Sequence, residues 1–137
     1  MLIMKHKGYF LIFLGLVLSD QFSKQIFMTS FDLGQSIVIN EYLSWTYLQN
    51  KGAAFSILSD GGLMQKSFLL GVSLLVSLWL VWWTQRTPVI YKQKLLGQFF
   101  LLSGAVGNLI DRALHGFVID FIDLHVNSFY WPVFNLA

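Results

Sequence analysis

The chain has 137 residues, 55% of them hydrophobic, 17% aromatic and 12% charged, with a formal net charge of +2. Soluble domains carry about 25% charged residues, so seven acids and nine bases are too few to cover a water-facing surface, which excludes a soluble enzyme and a disordered tail. The bases form no run for nucleic acid, and the lack of cysteine excludes disulfides, thiolate metal sites and a cysteine nucleophile. The composition is that of one integral membrane domain, residues 1–137.

A membrane-spanning helix needs about 20 mostly apolar residues. The first candidate opens after Lys5 and Lys7. Its clean apolar run, Gly8 to Ser19, is too short alone, and a signal peptide is one reading of it. No small-x-small cleavage site follows, however. The helix is therefore read as continuing over about 8–28, which carries Asp20 and Lys24 into it. Next come Ser36-Ile37-Val38-Ile39 and Tyr42 to Leu48, β-branched and aromatic runs that end at an Asn50-Lys51-Gly52 turn signal. They predict a small β-rich cap over about 32–62, although composition leaves an amphipathic surface helix open as well.

The second span is predicted at about 67–83, ending in Trp79, Trp82 and Trp83, which suit an interfacial aromatic belt. The third is predicted at about 95–110, where Gly97, Ser103, Gly104, Ala105 and Gly107 let helix backbones approach closely. Lys5 and Lys7, and then Arg86, Lys92 and Lys94, place the amino end and the second connection in the cytoplasm by the positive-inside rule. The cap and everything after Asp111 then lie on the outer side. The expected fold is an all-α membrane bundle of three transmembrane helices with a β-rich outer-face cap.

Polar groups in or beside a span need a reason, because they are expensive there. Asp20 and Lys24 stand four apart on one helix face. They either neutralise each other, with Lys24 snorkelling outward, or Asp20 positions something at the outer surface. Asn50-Lys51-Gly52-Ala53-Ala54-Phe55-Ser56 is either a re-entrant turn packed on the helices or a backbone edge and an Asn side chain offered to a peptide or lipid. Asn108, Asp111 and Arg112 share a helix face, as a buried hydrogen-bonded cluster would. Asp120 lies in a Val-Ile-Asp-Phe-Ile setting, where partial desolvation raises a carboxyl pKa and suits it to acid–base work.

Asp123 is the nearest partner for Asp120, but the β-branched and aromatic flanks favour a strand, which sends the two to opposite faces. His115 and His125 with Asp111, Asp120 and Asp123 match no metal-ligand spacing, so no metal and no other cofactor is expected. Ser56 and Ser103 have no Gly-x-Ser-x-Gly setting for serine hydrolysis. A non-catalytic scaffold, or a proton or cation pathway lined by Asp20, Asp111 and Asp120, is the alternative function. It predicts carboxylates spread through membrane depth, whereas these gather towards the outer ends of the spans.

Five motifs in order resemble the bacterial prolipoprotein signal peptidases, the signal peptidase II family of membrane aspartic proteases. They are Ser19-Asp20-Gln21 with Lys24; Asn50-Lys51-Gly52-Ala53-Ala54-Phe55-Ser56; Gly107-Asn108-Leu109-Ile110-Asp111-Arg112; Gly116-Phe117-Val118-Ile119-Asp120-Phe121; and Trp131-Pro132-Val133-Phe134-Asn135-Leu136-Ala137. The resemblance implies an endopeptidase that cuts before the diacylglyceryl-cysteine of a lipid-modified precursor, at the outer face of the bacterial inner membrane. It makes Asp120 one catalytic aspartate. It makes Asp20, Lys24, Asn50, Gly52, Asn108, Asp111, Arg112 and Asn135 site-support or substrate-contact positions. The partners it implies are the precursor and membrane lipid, with no nucleic acid, and the protein is expected to be a monomer. In the family the second catalytic aspartate follows the Asn-Leu-Ala step, and a fourth span comes next. The sequence stops at Ala137, so the chain as written is expected not to cleave by itself.

Overall fold

Helix α1 (Lys7–Ser30) is built inside out. Its buried residues are Asp20 and Lys24, while Leu11, Leu18, Phe22 and Ile26 face outward. Helix α2 (Gly62–Arg86) has the same character: it buries Gln65, Ser77 and Thr84 beside Leu69 and Leu80 and exposes Leu63, Met64, Leu75, Leu78, Trp79 and Trp82. The Ser73, Ser77 and Thr84 hydroxyls each donate to the carbonyl four residues earlier, so they demand nothing from their surroundings. This is the distribution that an apolar solvent selects, because a lipid chain satisfies no polar group. The computed structural model describes residues 7–52 and 62–137.

Both helices are long and apolar enough to cross a membrane; 24 residues make about 36 Å of helix against a hydrocarbon core of about 30 Å. The end of α2 carries a Trp79–Trp83 stack, Arg86 over the Trp82 ring at 5.1 Å and Lys94 over Trp83 at 5.6 Å. Helix α3 (Lys92–His115) encloses the third expected span and is as long as α1. It is not among the helices apolar enough to cross by composition. Its glutamines, glycines and Asn108, with Lys94 and Asp111 towards the ends, lower its hydropathy. Part of that polarity is turned inward: α3 buries Gln98, Ser103 and Asp111 with Leu95, Phe99 and Leu102, and it packs against both other helices.

The cap is a four-stranded antiparallel sheet, in the order β1 (Ser36–Val38), β2 (Leu43–Asn50), β3 (Val118–Val126) and β4 (Phe129–Tyr130). Only half of it comes from the segment expected to form the cap. The other half follows α3, and residues 53–61, including Ala53-Ala54-Phe55-Ser56, lie outside the described residues. Tyr47, Ile119 and Phe121 form its buried core, with Phe27, Phe31 and Trp45 packed against them. The Phe27 and Phe121 rings stack at 4.2 Å, docking the end of α1 onto β3.

The pairing of β2 with β3 carries a bulge. Trp45 faces Ile122, but Leu48 faces Asp120, so Thr46 and Tyr47 together oppose Phe121. Side chains alternate strictly along a strand, and one extra residue exchanges the faces beyond it. Without the bulge Asn50 would sit on the face opposite Asp120. With it, Asn50 faces Val118 and becomes a diagonal same-face neighbour of Asp120.

Helix α3 ends at Gly116, whose positive φ of 77° and N–H to the Arg112 carbonyl (3.0 Å) close the last turn. This stop lets β3 begin two residues later. Between α1 and α3, Gly107 leaves no room for a side chain: a Cβ there would collide with the Asp20 carboxylate. That carboxylate is short and held, so it cannot swing aside. We therefore expect Gly107→Ala to break the helix contact, costing about 3 kcal/mol as buried ion pairs do when one side is displaced. The control is Gly97→Ala in the same helix, where nothing lies within 4 Å and alanine is the better helix former by about 1 kcal/mol. Thermal unfolding of both variants in detergent should show a large fall for the first and none for the second.

Candidate active site

The site starts from a buried ammonium. Lys24 is 1% exposed, and its Nζ lies 2.8 Å from Asp20 Oδ2, 2.8 Å from Asp111 Oδ2 and 3.1 Å from Asn108 Oδ1. An ammonium has three N–H donors and no acceptor, so all three are used. The ion pair foreseen between Asp20 and Lys24 is present, but Lys24 does not snorkel outward. The physical reason is supply: the interior offers three oxygen acceptors, and the apolar surface of α1 offers none. Asp20 and Asp111 are 2% and 1% exposed, so two carboxylates and one ammonium form a closed group between α1 and α3.

Asp111 extends this group into the sheet. Its Oδ2 also accepts the Ile119 N–H at 3.1 Å, and its Oδ1 accepts Gln21 Nε2 at 3.0 Å. The same amide donates to the Gly107 carbonyl at 3.1 Å and to Asp20 at 3.2 Å. One helical carboxylate thus fixes the backbone immediately before Asp120.

Asp120 is 5% exposed and is held by two side-chain amides. Asn50 Nδ2 donates to one oxygen at 3.0 Å, and Asn135 Nδ2 donates to the other at 2.7 Å. Asn50 is itself oriented by the Gly52 N–H, 2.9 Å from its Oδ1. Gly52 has φ +90°, and a Cβ there would strike the Leu69 side chain, so the tight turn needs glycine. Asn135 also donates to Asn108 Oδ1 at 3.2 Å and to the Ile119 carbonyl at 3.1 Å, and its own Oδ1 accepts the Ala137 N–H at 2.8 Å. Burial pushes the Asp120 carboxyl above the ordinary aspartate range; the amides of Asn50 and Asn135 and the charge of Lys24 act in the opposite direction.

Beside Asp120 opens a cavity of about 690 Å³, walled by Leu33, Leu48, Pro132 and Val133 and edged by Asn50, Lys51, Gly52 and Gln65. Gln65 donates to the Lys51 carbonyl at 2.8 Å and so pins this rim to α2. Neither Gln65 nor Gln21 stands out in the sequence as a site residue. Gln65 sits at the start of a long apolar run, and that isolation is its one signal. Gln21 lies within the Ser19-Asp20-Gln21 motif, adjacent to Asp20.

The structure therefore brings Asp20, Lys24, Asn50, Gly52, Asn108, Asp111, Asn135 and Asp120 into one connected set. Arg112 is half-buried and near enough for the charges of Asp111 and Asp120 to act on it; among the described residues its guanidinium makes no hydrogen bond or ion pair. Asp123 sits in the strand as expected, on the other face, and accepts the Thr46 hydroxyl at 2.8 Å. His115 stacks on Phe117 and His125 on Tyr130, and no His–Asp group gathers for a metal among the described residues. The Ser103 hydroxyl is spent on the Phe100 carbonyl, and Ser56 lies outside the described residues. Asp20, Asp111 and Asp120 form one cluster at the junction of helices and sheet, not a path through the bundle.

Residues 12–137 match the family profile described as signal peptidase (SPase) II. The lipoprotein signal peptidase of Alteromonas mediterranea is 41% identical over 118 residues, covering 86% of this chain and 65% of that protein, so the chain spans just under two thirds of that relative. The lipoprotein signal peptidase of Dichelobacter nodosus is 42% identical over 134 residues, covering 97% of this chain and 85% of its own length. A bacterial membrane enzyme solved by the in meso method at 1.9 Å resolution superposes with a TM-score of 0.84 at 32% identity, over 95% of this chain and 82% of that one. With the profile matched over residues 12–137 and relatives above 40% identity, the chain belongs to the signal peptidase II family.

Proposed function

We propose that this protein is an aspartic endopeptidase that removes signal peptides from lipid-modified prolipoproteins, cutting just before the diacylglyceryl-cysteine. The observation that carries this reading is Asp120: a buried carboxylate, fixed by an amide on each oxygen, on the wall of a largely apolar cavity. Family membership supplies the reaction class, and the names of the relatives supply the substrate.

In this reading Asp120 is one half of a carboxylate pair. The resemblance places its partner directly after Asn135-Leu136-Ala137, a step anchored to the site by Asn135 Nδ2, which donates to Asp120 Oδ1 at 2.7 Å. One carboxylate takes a proton from water as it attacks the scissile carbonyl. The other protonates the carbonyl oxygen, and the departing amine then receives a proton. No metal or organic cofactor enters these steps. The apolar wall of Leu33, Leu48, Pro132 and Val133 suits a hydrophobic substrate segment, and binding remote from the reacting bond brings that bond to Asp120.

The same reading places α1, α2 and α3 across the bacterial inner membrane, with the amino end cytoplasmic and the sheet and Asp120 at the outer face. Arg86 and Lys94, seated on Trp82 and Trp83 at the far end of α2 and α3, support that orientation. A fourth span after the second aspartate completes the bundle. The protein acts as a monomer in contact with membrane lipid.

Two outcomes test the chemistry. In detergent or nanodiscs, with the chain continued past Ala137 through the second aspartate and the fourth span and a precursor peptide bearing a diacylglyceryl-cysteine, Asp120→Asn should lower cleavage by at least about 10²- to 10⁴-fold, the range for one acid–base group. An Asp120→Asn variant that folds and cleaves like its parent removes Asp120 from the reaction. The pH profile should follow from burial. A raised carboxyl pKa keeps Asp120 protonated to higher pH than an exposed aspartate, so the acid limb of kcat/KM should lie above the ordinary aspartate range of about 3.9. Asn50→Ala removes a hydrogen bond that favours the ionised form, and it should move that limb further up.

A further inference from the structure

We infer that Lys24 is a positioning residue for Asp120: through Asn108 and Asn135 its ammonium keeps an N–H donor directed at the carboxylate and a fixed positive charge behind it. The inference rests on the proposed role of Asp120. It concerns a lysine on a different element, separated from that carboxylate by two side chains.

The argument begins with the polarity of hydrogen bonds. The two ends of an asparagine amide look alike in shape, and only their partners tell them apart. Lys24 can only donate, so Asn108 must turn its Oδ1 to the ammonium. The second group on that oxygen, Asn135, must then present Nδ2. The same Nδ2 lies 2.7 Å from Asp120 Oδ1. The series therefore runs in one direction, from Lys24 to Asn108 to Asn135 to Asp120. Two backbone groups agree with it: the Ile119 carbonyl accepts from Asn135 Nδ2, and the Ala137 N–H donates to Asn135 Oδ1.

Those backbone contacts support the same orientation of Asn135. What they cannot supply is charge or the clamp on Asn108. Among the described residues the charged groups around Asp120 are Lys24 and its partner Asp20 of α1, Asp111 and Arg112 of α3, and Lys51 at the cavity rim; α2 contributes the neutral Gln65 to that rim. Asp111 opposes ionisation of Asp120, and Lys24 favours it. Lys24 is held 2.8 Å from both Asp20 and Asp111, so its position cannot relax towards or away from the site. In a medium of low dielectric such a fixed charge acts further than it does in water.

A purely structural role, joining α1 to α3, would leave the titration of Asp120 alone once the protein folds. The test separates the two roles. Lys24→Met alone would strand two buried carboxylates, so it is combined with Asp20→Asn, which keeps the net charge of the cluster. Asn108→Ala is the second variant, because it keeps the ion pairs and cuts the link. Lys24→Arg is the conservative variant. Each is checked by thermal unfolding, then read by the pH profile of cleavage of the lipid-modified peptide and by an infrared titration of the Asp120 carboxyl, assigned by difference from Asp120→Asn.

The double variant and Asn108→Ala should each lower kcat by up to about 100-fold, the cost of a small misplacement of a reacting group, with little change in KM. In the double variant the acid limb and the Asp120 titration should move together to higher pH, since Lys24, which favours the ionised form, is gone while Asp111, which opposes it, stays. Lys24→Arg should keep the parent's acid limb. If the variants fold and both the titration and the limb stay with the parent, the inference fails while the peptidase reading stands. If the parent continued through the second aspartate does not cleave but the titration moves, the peptidase reading fails and the positioning of Asp120 by Lys24 stands.

Discussion

The structure depends on a single buried ammonium. Lys24 joins Asp20 on its own helix to Asp111 and Asn108 on α3, and the remaining contacts of the site follow from that knot. A charge in an apolar medium costs several kcal/mol even after relaxation. A lysine with three acceptors around it is therefore either fully satisfied or the helices separate. The outer surfaces of α1 and α2 offer little to hold a bundle together, because in lipid there is no hydrophobic force between helices. Specific polar contacts and close packing must do it. Here the ion pairs supply the first, and Gly107, with no side chain between α3 and the Asp20 carboxylate, supplies the second.

From this knot the constraint passes into the sheet through short links. Asp111 captures the Ile119 N–H, which fixes the backbone one residue before Asp120. The Gly116 stop sets how soon β3 leaves α3. The bulge in β2 then selects the face on which Asn50 meets Asp120. Each link has the rigidity of a short connection or a closed hydrogen-bond set. The carboxylate at the end is held within a narrow range of positions although it lies on a strand with an open cavity beside it. Preorganisation of this kind is what acid–base chemistry requires, since small displacements of the reacting group are expensive.

Much of this is legible in the sequence, for reasons that can be named. Helices α1 and α2 are visible because a long, nearly uncharged apolar run fits a spanning helix and little else. Asp20, Lys24, Asn108 and Asp111 are visible because polar groups stand out against such runs. The extended conformation around Asp120 is visible in its β-branched and aromatic flanks. The direction of Lys24 is not, because snorkelling outward and reaching inward use the same flexible stem. Only the position of Asn108 and Asp111, more than eighty residues away in the chain, decides between them. The bulge is equally hidden. It is a property of the pairing between Trp45–Leu48 and Asp120–Ile122, and neither strand alone announces it. The sharing of one sheet between two distant segments is invisible in the sequence for the same reason. Gln21 and Gln65 leave only faint signals, a motif neighbour and an isolated polar residue, because a glutamine's role is set by its partners.

The apolar surroundings also account for how few groups are needed. In water a carboxylate is held by a mobile hydration shell that must reorganise as charge moves. Around Asp120 the corresponding donors are two asparagine amides, themselves locked by Gly52, Ala137, Asn108 and Ile119. Fixed dipoles cost no reorganisation when a proton leaves or arrives. Their balance against desolvation sets the proton affinity: burial raises it, and the amides and Lys24 pull it back. In the proposed reaction a carboxylate of this kind carries a proton in one step and releases it in the next. An exposed aspartate stays ionised through both, and a buried aspartate without donors stays protonated through both. The two amides and the charge of Lys24 act together against the desolvation of Asp120, and α1, α3 and the sheet converge on that balance.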